Sequence, residues 1–269
     1  MTRNSKKESP AMVDASNSAG SHSTEKVTVS IVSHGHGALV EQLIEQVLKQ
    51  SGVAKVLLTL NVPENLALPS SNKLVLVHNT NPKGFGASHN AAFRQCDSEF
   101  FCVLNPDIVL SQPIFGGLIE GLLTAGAVLA APAVISTSGE REDSWRQFPT
   151  LGGLLLKFIG EDNSVISFDS KADVVFPAWV AGMCLLFDTQ AYQRLGGFDE
   201  GYFLYYEDVD ICARIWKEGF RLVACPNIKV THDAQRASRR NSQHMRWHAL
   251  SMARYFIKFA GRLPAINRT

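Results

Sequence analysis

The stretch VTVSIVSH, residues 27–34, and its successor VAKVLLTLN, residues 53–61, decide how this chain folds. Both are rich in β-branched and aliphatic residues, whose side chains pack well on a pleated surface, so each reads as a strand. Between them, from about Leu39 to Gln50, apolar residues recur with the period of a helix. Strand, helix and strand in succession open a parallel sheet. The rhythm continues with KLVLVHN (73–79) as a strand, a helix from about Gly84 to Gln95, and SEFFCVLN (98–105) as a buried strand that stops at Pro106. Such alternation predicts an α/β, doubly wound and mostly parallel sheet that takes its ligands at the carboxyl ends of the strands.

Further along, a helix near Ile114–Leu123 and the strand AVLAAPAVI (127–135) precede a stretch from Ser136 to Asp173 without clear period, read as a mobile or substrate-facing excursion. FPAWVAGMCLLFD (176–188) returns as a strand, TQAYQRLG (189–196) as a short helix, and YEDVDICARIWKEG (206–219) as a helix ended by Gly219. Two short strands, FRLVAC and IKVTHD, then lead to a basic helix over about Gln243–Phe259. Residues 1–25, rich in Ser, Asn, Thr and Lys, read as a disordered tail.

Composition narrows the function. With 269 residues, 45% hydrophobic and 19% charged, the chain can bury a sizeable core. A formal net charge of +1 gives no global attraction to nucleic acid, so a nucleic-acid partner is not expected. Five scattered cysteines without a C-x-x-C pair suit a reducing compartment. No run of eighteen apolar residues and no secretory-signal pattern is present, so the expected location is cytoplasmic.

Three groups of residues carry chemistry. In LNPD (104–107), Pro106 fixes a turn at a strand end and leaves Asn105 and Asp107 projecting where a carboxylate holds a hard cation beside a diphosphate; a capping Asp is the plainer alternative. NPKGFGASHN (81–90) follows a strand and opens a helix, and Gly84 and Gly86 allow close approach of a ligand to backbone. His89 stands where a dinucleotide fingerprint has its third glycine, which disfavours that reading. Downstream, FDEGYFLYYEDVDICAR brings Asp199, Glu200, Glu207, Asp208 and Asp210 together, with Asp188 shortly before. Asp210 and Arg214 read as an i,i+4 surface pair. Glu207 and Asp208 open a helix beside Tyr205 and Tyr206, where the helix dipole and mutual repulsion together poise one acid as a general base; helix capping alone would also account for them. His244 and His248 share i,i+4 spacing, but Met245 replaces the glutamate of a zincin, so a basic surface helix is the reading there. His34 and His36 read as part of a loop near the ligand edge.

Taken in order, VSIVSH, NPKGFGASHN, LNPD, WVAGMCLLFD, GGFDEGYFLYYEDVDICAR and VTHD resemble the inverting family 2 glycosyltransferases with a GT-A fold, and in particular bacterial rhamnosyltransferase-like members. The resemblance covers about residues 26–235, leaving 236–269 as a basic C-terminal helical segment. It implies a nucleotide-diphosphate sugar donor, Mg2+ or Mn2+, and a hydroxyl acceptor on a glycan or lipid-linked carrier. Rhamnose from a thymidine diphosphate donor is the first expectation. By resemblance, Ser33, Asn61, Asn81, Gly84, Asn90 and Asn105 shape the donor side, Asp107 and His232 face the metal, Asp208 is the base with Glu207 beside it, and Trp179, Gly182, Asp199 and Glu200 fall on the acceptor side. The chain departs from the family at LNVPEN, where Asn61 replaces the usual acid and Glu64 follows, and at HDAQRAS, which lacks the usual second histidine and glycines. Another hexosyltransferase of the same fold, or a catalytically silent glycan-binding scaffold, are the alternatives; intact Asp107 and Asp208 argue against the scaffold.

After Asp233 the chain holds Arg236, Arg239, Arg240, Arg246, Arg254, Lys258, Arg262 and Arg268 and no acid. At about 100° per residue, Met245, Ala249, Met252, Phe256 and Phe259 would form one apolar stripe with Arg246, Arg254 and Lys258 elsewhere. Two roles follow from such an amphipathic helix: docking on the core, or peripheral contact with an anionic membrane on its inner face.

Overall fold

The computed structural model describes residues 26–158, 160–161, 164, 166, 172–233 and 242–266. The expected disordered tail and Arg236, Arg239, Arg240 and Arg268 lie outside the described residues.

In chain order the elements are β1 (Val27–Ser33), α1 (Ala38–Leu48), β2 (Val53–Leu60), β3 (Leu74–His78), α2 (Phe85–Phe93), β4 (Phe100–Leu104), β5 (Ile108–Val109) and α3 (Phe115–Thr124). They continue with β6 (Leu129–Ser136), β7 (Trp145–Arg146), α4 (Leu151–Phe158), β8 (Trp179–Val180), β9 (Cys184–Asp188), α5 (Thr189–Arg194), α6 (Glu207–Lys217), β10 (Leu222–His232) and α7 (Ser242–Phe259). An eight-stranded sheet runs β3-β2-β1-β4-β9-β6-β10-β5, and β7 pairs with β8 in a small antiparallel ribbon.

Strand β4 shows why the sheet is a core layer. All five of its residues are buried, and they alternate between two hydrophobic clusters: Cys102 and Leu104 join α1 and α3 on one face, Phe101 and Val103 join α5, α6 and α7 on the other. A strand covered on both faces needs a continuous apolar run, which FFCVL supplies.

The expected α/β sheet is mostly parallel at β3-β2-β1-β4 and β6-β10, and two strands depart from it. β9 runs antiparallel between β4 and β6, pairing Leu104 with Cys184 and Phe100 with Asp188. Its reversal carries residues 179–183 to the sheet edge at which β4 ends. β5 pairs antiparallel with the end of β10.

Several local readings need correction. FPAWVAGMCLLFD is two strands, because the chain turns at Ala181–Met183, where the Met183 N–H bonds the Ala181 carbonyl at 2.8 Å. FRLVAC and IKVTHD form a single strand, β10, that absorbs Pro226 in a register shift between Cys225 and Lys229. Asp210 is fully buried, not on the helix surface. Helix α7 buries Ser251, Tyr255 and Phe259 while Met245 is 68% exposed, so its packed stripe is turned by roughly 80° from the expected one. The aromatic segment 202–206 decides this, since it takes Tyr255 as its ring partner.

Candidate active site

The carboxyl ends of β4 and β10 and the turn before β9 converge on one edge of the sheet. The Asn105 N–H bonds the Met183 carbonyl at 2.9 Å, and the Asp233 N–H bonds the Asp107 carbonyl at 2.9 Å. Across that turn, the Gly182 N–H donates to Asp208 Oδ2 at 3.0 Å. Between them lies a cavity of about 870 Å3, within the range of small-molecule sites, lined among others by Asn105, Arg146, Trp179, Glu207, Asp208 and His248. The described part of the aperiodic stretch 136–173 contributes to its wall, including Asp143, Gln147 and Leu154.

Two carboxylates stand side by side at the start of α6. Asp208 Oδ1 also accepts the Val209 N–H at 2.8 Å, whereas the buried Glu207 Oε2 has no partner. Burial raises the proton affinity of Glu207 well above the usual carboxylate range, and the adjacent Asp208 adds to it. Burial raises Asp208 as well, opposed by the N–H groups of Val209 and Gly182. Adjacent acids, one buried and one half-buried, that raise each other's proton affinity favour sharing one proton, which leaves one carboxylate ionised. They are presented by an unusual turn: Tyr205 and Tyr206 both have left-handed backbone, φ 70° and 66°. Each such non-glycine residue costs about 1–3 kcal/mol.

Beyond the cavity lining, His232 bridges two acids, with Nε2 at 3.1 Å from Asp107 Oδ2 and Nδ1 at 2.9 Å from Glu142 Oε2. The bond to Asp107 is the largest influence on its imidazole; with Glu142 it outweighs burial and pushes the pKa up to about 9. Asp107 Oδ1 and Asn105 Oδ1 are buried and unpartnered. These two hard oxygens suit a divalent cation. Among the described residues, no group of three or more His, Cys, Asp or Glu side chains could by itself hold a metal ion. That composition fits an ion bound through one or two protein oxygens and completed by substrate phosphates.

Other expected residues have different partners. Asn61 binds Lys83 N–H at 2.8 Å and Asn79 at 3.0 Å through Oδ1, and through Nδ2 reaches the Lys83 carbonyl at 2.9 Å and His34 at 3.3 Å. Its amide has no bond left for a donor. Asn90 is likewise spent: Oδ1 accepts from Tyr192 and the Phe198 N–H, and Nδ2 donates to the Phe198 carbonyl and Glu200. It clamps the GGFDE loop. Gly84 and Gly86 are small because the chain itself fills the space: an added Cβ would lie 2.7 Å from the Phe203 carbonyl oxygen and 2.6 Å from Phe198 Cβ, respectively. Asp199 is held by Arg254 at 2.9 Å and Lys258 at 2.7 Å, which anchors α7. Asn81 is exposed on the loop before α2. Ser33 is buried at the end of β1, 3.4 Å from His36 Nδ1. The half-buried Trp179 indole bonds the Gln147 carbonyl at 2.9 Å, and its ring lines the cavity. Sequence reasoning missed Glu142, which lies 90 residues from His232, and missed His244 and His248 as neighbours of Tyr205; no local signal marks either.

Residues 25–249 match the family described as glycosyltransferase like family 2. The chain belongs to glycosyltransferase family 2. It is 27% identical over 250 residues to rhamnosyltransferase WbbL of Escherichia coli (strain K12), covering 86% of this chain and 93% of that protein. It is 30% identical over 166 residues to the N-acetylglucosaminyl-diphospho-decaprenol L-rhamnosyltransferase of Mycobacterium tuberculosis, a match that spans 56% of this glycosyltransferase and about half, 52%, of the relative. Its fold resembles that of GalNAc-T7 with UDP, GalNAc and Mn2+, with a TM-score of 0.61 at 14% identity over 78% of this chain and 43% of that one. It also resembles mannosyltransferase PcManGT from Pyrobaculum calidifontis in complex with GDP-Man and Mn2+, with a TM-score of 0.56 at 16% identity over 90% of this chain and 66% of that one. The family 2 glycosyltransferase thus has the GT-A fold.

Proposed function

We propose that this protein moves a sugar from a nucleotide-diphosphate donor to a hydroxyl of a glycan or lipid-linked acceptor in polysaccharide synthesis, with inversion at the anomeric carbon. The observation that carries the reading is Asp208, a half-buried carboxylate in the cavity wall, held in place by the Gly182 N–H and next to the buried Glu207. Rhamnose from a thymidine diphosphate donor is the first choice, supported by the two rhamnosyltransferase relatives.

Asp208 accepts the proton of the attacking hydroxyl, and Glu207 keeps a proton so that the pair carries a single charge. The Trp179 ring offers an apolar face to a sugar. Asp107 and Asn105 would hold Mg2+ or Mn2+, which when bound neutralises charge on the departing diphosphate. Their unpartnered oxygens support that assignment.

Contact with an anionic membrane belongs to the same reading, on altered grounds. Arg254 and Lys258 are engaged by Asp199, so the outer surface of α7 offers Arg246 and the exposed Met245, Leu250 and Ile257. Replacing Met245 and Ile257 by Asp should abolish co-sedimentation with anionic vesicles if that surface is the contact. No described helix is long and apolar enough to cross a membrane.

The deciding experiment is a screen of thymidine, uridine and guanosine diphosphate sugars for release of the nucleoside diphosphate, with and without Mg2+ or Mn2+, and with NMR of the product anomer. Metal-stimulated release and an inverted anomer are expected. No release from any donor under any condition would overturn the reading.

A further inference from the structure

Helix α7 was expected either to dock on the core or to lie against an anionic membrane. Its inner face docks along the segment that presents the acid pair. His244 Nδ1 lies 3.0 Å from the Tyr205 hydroxyl, and the His248 ring sits 5.4 Å from the rings of both Tyr205 and Tyr206. Trp247 packs on Phe203 at 4.6 Å, Ser251 Oγ donates to the Leu204 carbonyl at 2.8 Å, and Tyr255 lies 5.4 Å from Tyr206. One turn further along the helix, Arg254 and Lys258 hold Asp199, and Lys258 also reaches Asp210 Oδ1 at 2.6 Å.

These contacts fall on a strained element. Tyr205 and Tyr206 are bulky residues with left-handed backbone, and such conformations persist only where surrounding structure over-determines them. Tyr206 is also the residue from which α6 starts, without a side-chain cap of its own; Asp208 ties the first turn to the Val209 and Gly182 N–H groups, and the turn before it is tied to α7. Left to itself the turn would relax to right-handed or extended backbone and carry Glu207 and Asp208 with it. A 1 Å displacement of a catalytic group is enough to cost about a hundredfold in rate.

We propose that α7 is a positioning element of the transfer site, in which the His244–Tyr205 bond, with Ser251 and His248, holds the left-handed turn and thereby fixes Asp208 against the cavity. None of these α7 residues takes or gives the reacting proton; they act through Tyr205, Leu204 and Tyr206. The inference rests on the reading of Asp208 as the base.

The test compares His244→Ala, Tyr205→Phe, the double variant and His244→Asn in the full chain. Asn places an amide oxygen near the position of Nδ1 and restores a partner for the Tyr205 hydroxyl. His244→Ala and Tyr205→Phe should each lower kcat about tenfold with donor affinity and Tm close to wild type, the double variant should be no worse than either, and His244→Asn should recover most of the rate. Loss of kcat only in proportion to loss of Tm, additive effects, or no recovery with Asn would overturn the proposal. Hydrogen exchange of the Val209 and Asp210 amides reads the turn without turnover: it should speed up about tenfold in His244→Ala and return in His244→Asn. Unchanged exchange would refute the clamp even in a protein whose activity is unknown. If exchange responds while wild-type protein transfers no sugar, the clamp stands and the reading of the site fails instead.

Discussion

Replacing Asp208 by Asn tests the centre of the site. Its two oxygens accept the Gly182 N–H at 3.0 Å and the Val209 N–H at 2.8 Å. Asparagine keeps one of these bonds through its oxygen and turns its NH2 toward the other donor, so one hydrogen bond is lost, at about 1 kcal/mol. The substitution also removes the charge that opposes ionisation of Glu207, which offsets part of that cost. Folding stability should therefore change by no more than about 1 kcal/mol, a Tm shift of a few degrees. Catalysis responds differently, because the amide cannot take the acceptor's proton. General-base assistance is worth about 10²–10⁴-fold, or about 3–5 kcal/mol of barrier. The expected outcome is kcat reduced by at least about a hundredfold with donor affinity, measured by calorimetry, within about threefold of wild type. The pH profile supplies an independent reading. Burial raises the proton affinity of Asp208, and the base works only when deprotonated, so wild-type kcat/KM should fall as pH drops through a value above the ordinary Asp range. The variant should lack that limb. Turnover near the wild-type rate, or an unchanged acid limb, would show that another group takes the proton.

Three further outcomes follow from other parts of the structure. Asp107→Ala removes a hard oxygen beside the diphosphate position, so nucleoside diphosphate should bind at least about tenfold more weakly in Mn2+ and unchanged without metal; equal affinity at every Mn2+ concentration would refute the assignment. Gly84→Ala places a Cβ 2.7 Å from the Phe203 carbonyl oxygen, a backbone atom that cannot swing away, and should cost about 1–3 kcal/mol, visible as a lowered Tm in calorimetry. For Asp199, burial opposes ionisation but bonds from Lys258, the Gly201 N–H and Arg254 prevail and hold its pKa at about 2. A depressed carboxylate stabilises the fold above its unfolded pKa and loses that contribution as pH falls through the folded value. Asp199→Asn should thus cost about 1 kcal/mol in denaturant melts at pH 7, after discounting for solvent screening, and the gap should close between about pH 4 and 2.

What could be read from the sequence and what could not divides along a physical line. β1, α1 and β2 were legible because their information is local: a β-branched run, a helical period, a second run. LNPD and the Glu207–Asp208 pair were legible because a proline-fixed strand end and a helix start are also local events. The direction of β9 was not, since CLLFD carries no mark of whether it runs with or against β4. The family resemblance put Asn61 and Asn90 on the donor side and Asp199 on the acceptor side, but resemblance carries no information on the partners that the fold brings to them from far along the chain, as with Asn90 and Phe198. The buried stripe of α7 was misplaced for the same reason. Periodicity identifies a helix with an apolar side, but here both sides bear apolar residues, and only the rings at 202–206 decide which side is inward.

The reversal at β9 has a consequence for chemistry. Had residues 179–188 joined as another parallel strand, their loop would lie at the far edge of the sheet, away from LNPD. Running antiparallel, the strand starts where β4 ends, and a short relay of backbone bonds results: Asn105 N–H to the Met183 carbonyl at 2.9 Å, then Gly182 N–H to Asp208 Oδ2 at 3.0 Å. The proposed cation-facing turn and the proposed base are therefore referenced to the same adjacent peptides. Their separation is set by rigid backbone and not by flexible side chains, which is what attack and departure on opposite faces of one carbon require. The other side of Asp208 has no such strand behind it. There the left-handed tyrosine turn and the inner face of α7 supply the fixing, so Asp208, the proposed base, is held from the sheet by the turn before β9 and from the surface by α7.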